Sequence, residues 1–238
     1  MRETSNIYKE IVRGQYYTET RLSVDGTPPD NSIQDKSIFH LETMRRIFPK
    51  EWPSVGGCVS GEISAEFFMP EDKIPKMAKL IPYVRVKSLD GSKVSEWLAK
   101  GVFYIDTRKI RKWNDGRKII SVAGFDAMLK TEQDYPDSGL NWPAKDIDVV
   151  REICAALDIG IDDRTIAIMN KGYKIQYPAG YSCREILGYI AAMYGGNFIM
   201  SDVGKLLLCQ ITGVPKVPRY LINEDENVIT LGGVTILV

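Results

Sequence analysis

Between Ile186 and Met200 the chain reads ILGYIAAMYGGNFIM without one charged residue, and no other stretch limits the fold as much. A membrane-spanning helix needs about 20 apolar residues in unbroken succession. This run is shorter, and it contains Gly195-Gly196, a pair at which a helix stops. It therefore reads as a helix, a glycine stop and a strand that protein must cover, and no membrane span is expected. The helix start is well marked. Ser182 and Glu185 match the capping-box spacing, in which each side chain satisfies a backbone amide of the other. Ile186, Leu187, Ile190, Met193 and Tyr194 recur at helical spacing as the predicted inward face. Tyr189, Ala191 and Ala192 form a second apolar side, and a helix apolar nearly all round is covered on more than one side. The strand continues into NFIMSDVGKLLLCQI, a predicted hairpin turning at Ser201 to Gly204.

Upstream, DIDVVREICAALDIG repeats the helical pattern, with Val150, Ile153, Cys154 and Leu157 on one face. Asp146 or Asp148 is the expected N-cap, and Asp158 and Gly160 suit the exit. KTEQDYPDSGLNWPAKD, with two prolines, reads as a connector. The first 125 residues have a different texture. In GEISAEFFM, Ile63, Ala65, Phe67 and Met69 alternate with Glu62, Ser64 and Glu66, which makes a strand with one wet face. YYTETRLSVDG and YVRVKSLDGS also read as strands, ending at Asp25-Gly26 and Asp90-Gly91. GVFYIDTRKIRKWNDGRKIISVAG is a predicted hairpin, turning at Asn114-Asp115-Gly116. FDAMLK suits a short helix after it. The class is thus α+β.

Bulk chemistry narrows the function. With 44% hydrophobic and 26% charged residues, the chain is composed like a soluble globular protein. Its 31 basic residues balance its 31 acidic ones, which argues against a dedicated nucleic-acid binder. MRETSNIYKE lacks an apolar core of signal-peptide length. Cys58, Cys154, Cys183 and Cys209 match no zinc spacing and are read as reduced thiols. Neither a calcium loop nor a phosphate- or dinucleotide-binding glycine pattern is present, so no metal or cofactor is expected. Cys183 sits at a helix start, where the dipole favours a thiolate. Its base would have to be His40, the one histidine. This defines one alternative, a cytosolic cysteine-dependent hydrolase. Twelve tyrosines and four tryptophans define another, a carbohydrate-binding module, whose mark would be an exposed aromatic platform. The strongest local signal is basic: Arg108, Lys109, Arg111, Lys112, Arg117 and Lys118, which on paired strands could share a wet face with Trp113. That patch would meet an acidic partner or passing DNA; the plainer reading is an edge hairpin guarded by its cations.

The order of elements PSVGGCVSGEISAEFFMPEDKIPKMAKLIPYVRV, SEWLAKGVFYIDTRKI, VAGFDAML, WPAKDIDVVREICAALDIGI and YPAGYSCREILGYIAAMYGGNFIMSDVGKLLL, over about residues 7 to 235, resembles tail-tip or baseplate-hub proteins of prophages in Gram-positive bacteria. That family includes the hub of contractile phage tails and the related spike-carrying part of type VI secretion. The resemblance implies a β-barrel-like tail-hub domain at 1–129, an α+β domain with two helices and a β-hairpin at 130–211, and the beginning of a second, incomplete β domain at 212–238. It also implies a structural protein and not an enzyme. Its partners would be copies of itself, as a trimer in the full-length protein, and other tail proteins, with DNA passing transiently and no small-molecule substrate. Its place would be the virion tail, after synthesis from a prophage gene in the bacterial cytoplasm.

Overall fold

A computed structural model describes residues 4–25, 29, 32–49, 52–68, 74–112, 117–211, 230–231 and 234–235. The turn at Asn114-Asp115-Gly116, Trp113, Gly26, Met69 and most of 212–238 lie outside the described residues.

A short helix, α1 (Asn6–Ile11), is followed by β1 (Tyr16–Val24), β2 (Ile33–Gln34), β3 (Ile38–Met44), β4 (Cys58–Val59), β5 (Glu62–Phe68), β6 (Lys79–Ser88), β7 (Leu98–Ala99), β8 (Phe103–Lys112) and β9 (Lys118–Asp126). Eight of these strands make one sheet in the order β2-β1-β6-β8-β9-β5-β3, with β7 on β6. All its ladders are antiparallel. Among the described residues no ladder joins β2 to β3 to close it into a barrel. Its inner face follows from alternation: Ile63, Ala65 and Phe67 of β5 are buried with Leu22, Phe103 and Ile120, while Glu62 and Ser64 face out.

The second half starts with a 3-10 helix at Ala127–Glu132, where FDAMLK is helical as expected, with Asp126 as its cap. Then come β10 (Ala144–Lys145), α2 (Asp146–Ala156), β11 (Gly160–Ile161), α3 (Asp163–Ile168), β12 (Lys174–Ile175), α4 (Cys183–Met193), β13 (Gly196–Met200) and β14 (Lys205–Gln210). The tail holds a two-rung ladder of β15 (Thr230–Leu231) and β16 (Val234–Thr235). The protein is α+β.

The uncharged run folds as α4, a left-handed Gly195 and β13. The capping box of Ser182 and Glu185 is formed, and the hairpin closes with Ser201 N donating to Lys205 O at 2.8 Å. No described helix is long and apolar enough to cross a membrane. Two expectations are corrected. First, Met193 is exposed. The buried arc of α4 is turned toward Leu187, Ala191 and Tyr194, because the 54–57 segment crosses the helix at Gly188, where an added Cβ would stand 2.7 Å from Gly56 O. Second, neither Asp146 nor Asp148 caps α2: Lys145 holds the N-cap position without a side-chain bond. Asp146 is fully buried in the first turn, accepting the Tyr194 hydroxyl at 2.6 Å and Ile147 N at 2.8 Å. One carboxylate oxygen takes the Tyr194 hydroxyl and the other the first-turn amide of Ile147, from inside the helix and not from the N-cap position.

The small sheet, β11-β14-β13-β4, has a feature that no periodicity foretold. Its edge strand β4 comes from the first half of the chain and pairs in parallel with β13, Phe198 opposite Cys58. Asn197, wholly buried, ties the segment before β4 down. It accepts from Gly57 N at 2.7 Å and donates to Ile47 O at 2.9 Å and Ser54 O at 2.7 Å.

Candidate functional site: an assembly surface

The β8–β9 hairpin carries the basic cluster. A register shift between Ile105 and Thr107 leaves Asp106 unopposed; such an extra residue bends and twists a strand. Beyond it Arg108 opposes Val122, Lys109 opposes Ser121, Ile110 opposes Ile120, Arg111 opposes Ile119, and Lys112 opposes Lys118. Opposed residues share a face and successive residues alternate. Lys109 and Arg111 therefore point to the outer side, while Arg108, Lys112 and Lys118 point to the side of the core residues Val122 and Ile120. The six cations divide between two faces, four of them near the hairpin end.

Several cations are engaged. Arg111 Nη2 lies 2.9 Å from Glu66 Oε1, to which the Ser121 hydroxyl also donates at 2.7 Å. The Ser121 bond and the Arg111 charge hold the Glu66 carboxyl below its ordinary range. Arg108 Nη1 donates to Ile74 O at 2.5 Å, and the Arg117 guanidinium lies 4.4 Å over the Phe68 ring. The hairpin is thus a braced projection. Its β8 residues from Asp106 to Lys112 are all exposed.

The sheet ends in two further surfaces. At one side β3 has its outer edge without a ladder among the described residues, and Phe39 and Met44 are exposed on it. At the other, β2 covers β1 at Arg21 and Leu22 alone, and Tyr16 and Tyr17 are exposed beyond it. Elsewhere, the 45–57 segment displays Trp52 at 78% exposure, the most exposed large apolar side chain described. Asn197 holds Ile47, Ser54 and Gly57, and Gly56 crosses α4 at Gly188, a surface that the sequence pattern does not mark. A buried asparagine next to a Gly-Gly pair is the faint signal that was present.

The thiol chemistry does not assemble. Cys183 is fully buried, its Sγ 3.6 Å from Asp134 O. Burial pushes its thiol up, against the expected pull of the helix start. Burial likewise pushes Cys58 and Cys154 up to about 12. His40 lies on the outer edge strand, its Nε2 3.7 Å from Glu42, while Cys183 belongs to the core around α2 and α4. The aromatic residues do cluster. Tyr135, Trp142 and Tyr177 lie 5.3–6.3 Å apart, and Tyr181 lies 5.6 Å from Tyr189. Every one of these pairs is edge-to-face, so the rings pack on each other and do not spread as one flat platform. Glu152 clasps the first group, accepting from the Tyr135 hydroxyl, the Ser138 hydroxyl at 2.8 Å and Gly139 N at 3.0 Å.

No protein-family model matches the chain, and no curated protein sequence does. Solved structures do. The 43 kDa tail protein of prophage MuSo2 from Shewanella oneidensis superposes with a TM-score of 0.52 at 15% identity, over 88% of this chain and 60% of that one. The tail protein from Neisseria meningitidis MC58 gives a TM-score of 0.50 at 13% identity, over 88% of this chain and 55% of that one. The chain has the fold of these phage tail proteins and spans somewhat more than half their length.

Proposed function

We propose that this chain is a structural component of a phage-like tail tip, the baseplate hub, and that it acts by oligomeric assembly at the end of the tail tube and not by catalysis. The observation that carries the reading is the fold likeness to two tail proteins across 88% of the chain. A β-rich half laid beside a helical half, in the order the resemblance implies, supports it further. On this reading residues 1–129 are the tail-hub domain, with β4 lent to its neighbour. Residues 130–211 are the outer α+β domain, and residues 212–238 begin a second β domain. The protein assembles as a trimer in its full-length form, together with other tail proteins, and sits in the virion tail after synthesis in the bacterial cytoplasm.

Two features favour assembly over ligand binding. Among the described residues the outer edge of β3 carries no ladder and that of β1 only the two rungs to β2, and exposed Tyr16, Tyr17, Phe39 and Met44 add apolar area for neighbours. The six-cation hairpin stands out from the sheet toward a neighbour or the tube interior. Replacing Arg108, Lys109, Arg111 and Lys112 together by glutamine tests this. Particle yield or DNA delivery should fall while the purified variant keeps its circular dichroism spectrum and melting temperature. Unchanged yield and infectivity would remove the hairpin from the assembly.

A further inference from the structure

The outward face of the large sheet gathers cations where β2, β1 and β6 run side by side. Leu22 of β1 is buried in the core, so Glu19 and Arg21 point the other way. Residues opposed across the ladders share that face: Arg85 with Glu19, Lys87 with Tyr17, and Gln34 with Arg21. Lys36 follows just past β2 and is exposed. Glu19 stands among these cations and is taken: Arg85 Nε donates to it at 2.6 Å and Lys87 Nζ lies at 2.5 Å.

Arg21 and Lys36 are not spent in this way. Arg21 Nη1 is buried without any hydrogen-bond partner. The guanidinium lies 5.7 Å from the centroid of the Trp97 ring, which Arg85 covers at 4.2 Å. Neither Arg21 nor Lys36 has an ion pair among the described residues, whereas Arg85 and Lys87 do. A guanidinium N–H kept from water without an acceptor is costly, and a carboxylate supplies the missing acceptor. There is room for one. A notch of about 290 Å³ opens at this point, lined among the described residues by Glu19, Thr20, Arg21, Gln34 and Lys36. It presents two uncommitted cations and the Gln34 amide to a group that enters. The notch belongs to the face of the sheet, so filling it leaves the backbone pairing of Arg21 with Gln34 intact.

We propose that this notch receives an acidic peptide segment of another tail protein, with one carboxylate pairing with Arg21 and a second meeting Lys36. The chemistry favours a peptide over a nucleic-acid strand. A planar carboxylate fits the two-pronged guanidinium, whereas a single strand is held by a groove of free cations with open aromatic faces for its bases. Here Arg85 and Lys87 are already spent on Glu19, whose own carboxylate stands in the wall of the notch and repels a phosphate backbone. The Trp97 ring is covered by Arg85. The proposal rests on the tail reading given above and names a surface and a partner chemistry for it.

Titration of the full chain with hexaglutamate, followed by NMR chemical shifts, tests it. Shifts should concentrate at Thr20, Arg21, Gln34 and Lys36, and hexaglutamine should produce none. Arg21→Gln should raise the dissociation constant about 10-fold, the loss of one charge-assisted pair. Lys36→Gln should raise it about 3-fold, as for an exposed pair. Lys76→Gln, an exposed lysine outside the notch, should leave it unchanged, and the melting temperature of each variant should stay near that of the parent. An unaltered constant in Arg21→Gln overturns the proposal, and so does hexaglutamate that moves no signal at the notch. A single-stranded thymidine hexanucleotide that binds the parent more tightly than hexaglutamate, and is lost with Arg21→Gln, also overturns it and assigns the notch to phosphate. The tail reading is judged separately. A chain found in purified tails whose notch ignores hexaglutamate loses this proposal alone, whereas a chain absent from tails loses the reading itself, whatever the notch binds.

Discussion

Asn197 and Arg21 are both strand residues with buried polar atoms, and the molecule treats them in opposite ways. Asn197 spends its whole amide inside the chain, on Gly57, Ile47 and Ser54. Other buried polar groups of the helical half do the same: Asp146 takes the Tyr194 hydroxyl, and Thr165 donates to Leu206 O and accepts from Leu208 N. Arg21 leaves a buried nitrogen unmatched beside a notch on the outward face of the sheet. Besides the Ser54 hydroxyl in the clasped segment, Arg21 Nη1 is the buried side-chain atom left without a partner among the described residues, so the buried polar side chains of the helical half itself are matched within the chain, whereas the outward face of the sheet keeps an unmatched cation. Substitutions in the first region should therefore be read out as stability, and those in the second as association.

The largest effect should come from Asn197→Ala. It strands Gly57 N, Ile47 O and Ser54 O, and should cost about 3 kcal/mol in urea unfolding. A loss below about 1 kcal/mol would mean that those groups find water easily and that the 45–57 segment is not clasped. Gly188→Ala comes next. Its new Cβ would meet the Gly56 carbonyl oxygen, a backbone atom, at 2.7 Å, so the crossing must open at a cost of about 1–3 kcal/mol. Arg21→Met keeps an apolar stem over Trp97 and removes the unmatched nitrogen. Monomer stability should change by no more than about 0.5 kcal/mol, and a large destabilisation would show that Arg21 has work within its own chain. The smallest effect concerns Glu66, whose carboxyl is held low chiefly by Ser121. Its contribution to stability is present above its unfolded pKa and is lost as pH falls through the lowered folded value. Ser121→Ala should shift the Glu66 titration upward toward the ordinary 4.5, followed by NMR. An unmoved titration would assign the effect to Arg111.

Much of this contrast is local and therefore legible in the chain. Alternation in GEISAEFFM marks the inner face of β5, the Ser182–Glu185 pair marks the start of α4, and Gly195 marks its end. What escaped is long-range. Parallel pairing of β4 with β13 joins residues far apart in the chain, and a two-residue strand has no period to read. The role of Asp146 depends on Tyr194, 48 residues on at the end of α4, whereas locally a carboxylate at a helix start reads as a cap. The basic cluster shows a different limit. Its composition suggested one patch, but period-two alternation, visible in the same residues, divides it between two faces once the hairpin register is known. Arg21 had no signal at all, because an unmatched atom is a property of packing.

The central claim is that the chain is a built-in part of a phage-like tail, completed by its neighbours. Quantitative mass spectrometry of purified particles from the induced prophage addresses it most directly. The chain should co-purify with tails through a density gradient, at one trimer per tail and in constant ratio to the tube protein. Its absence from particles, with the chain recovered only in the soluble fraction of the lysate, would contradict the account.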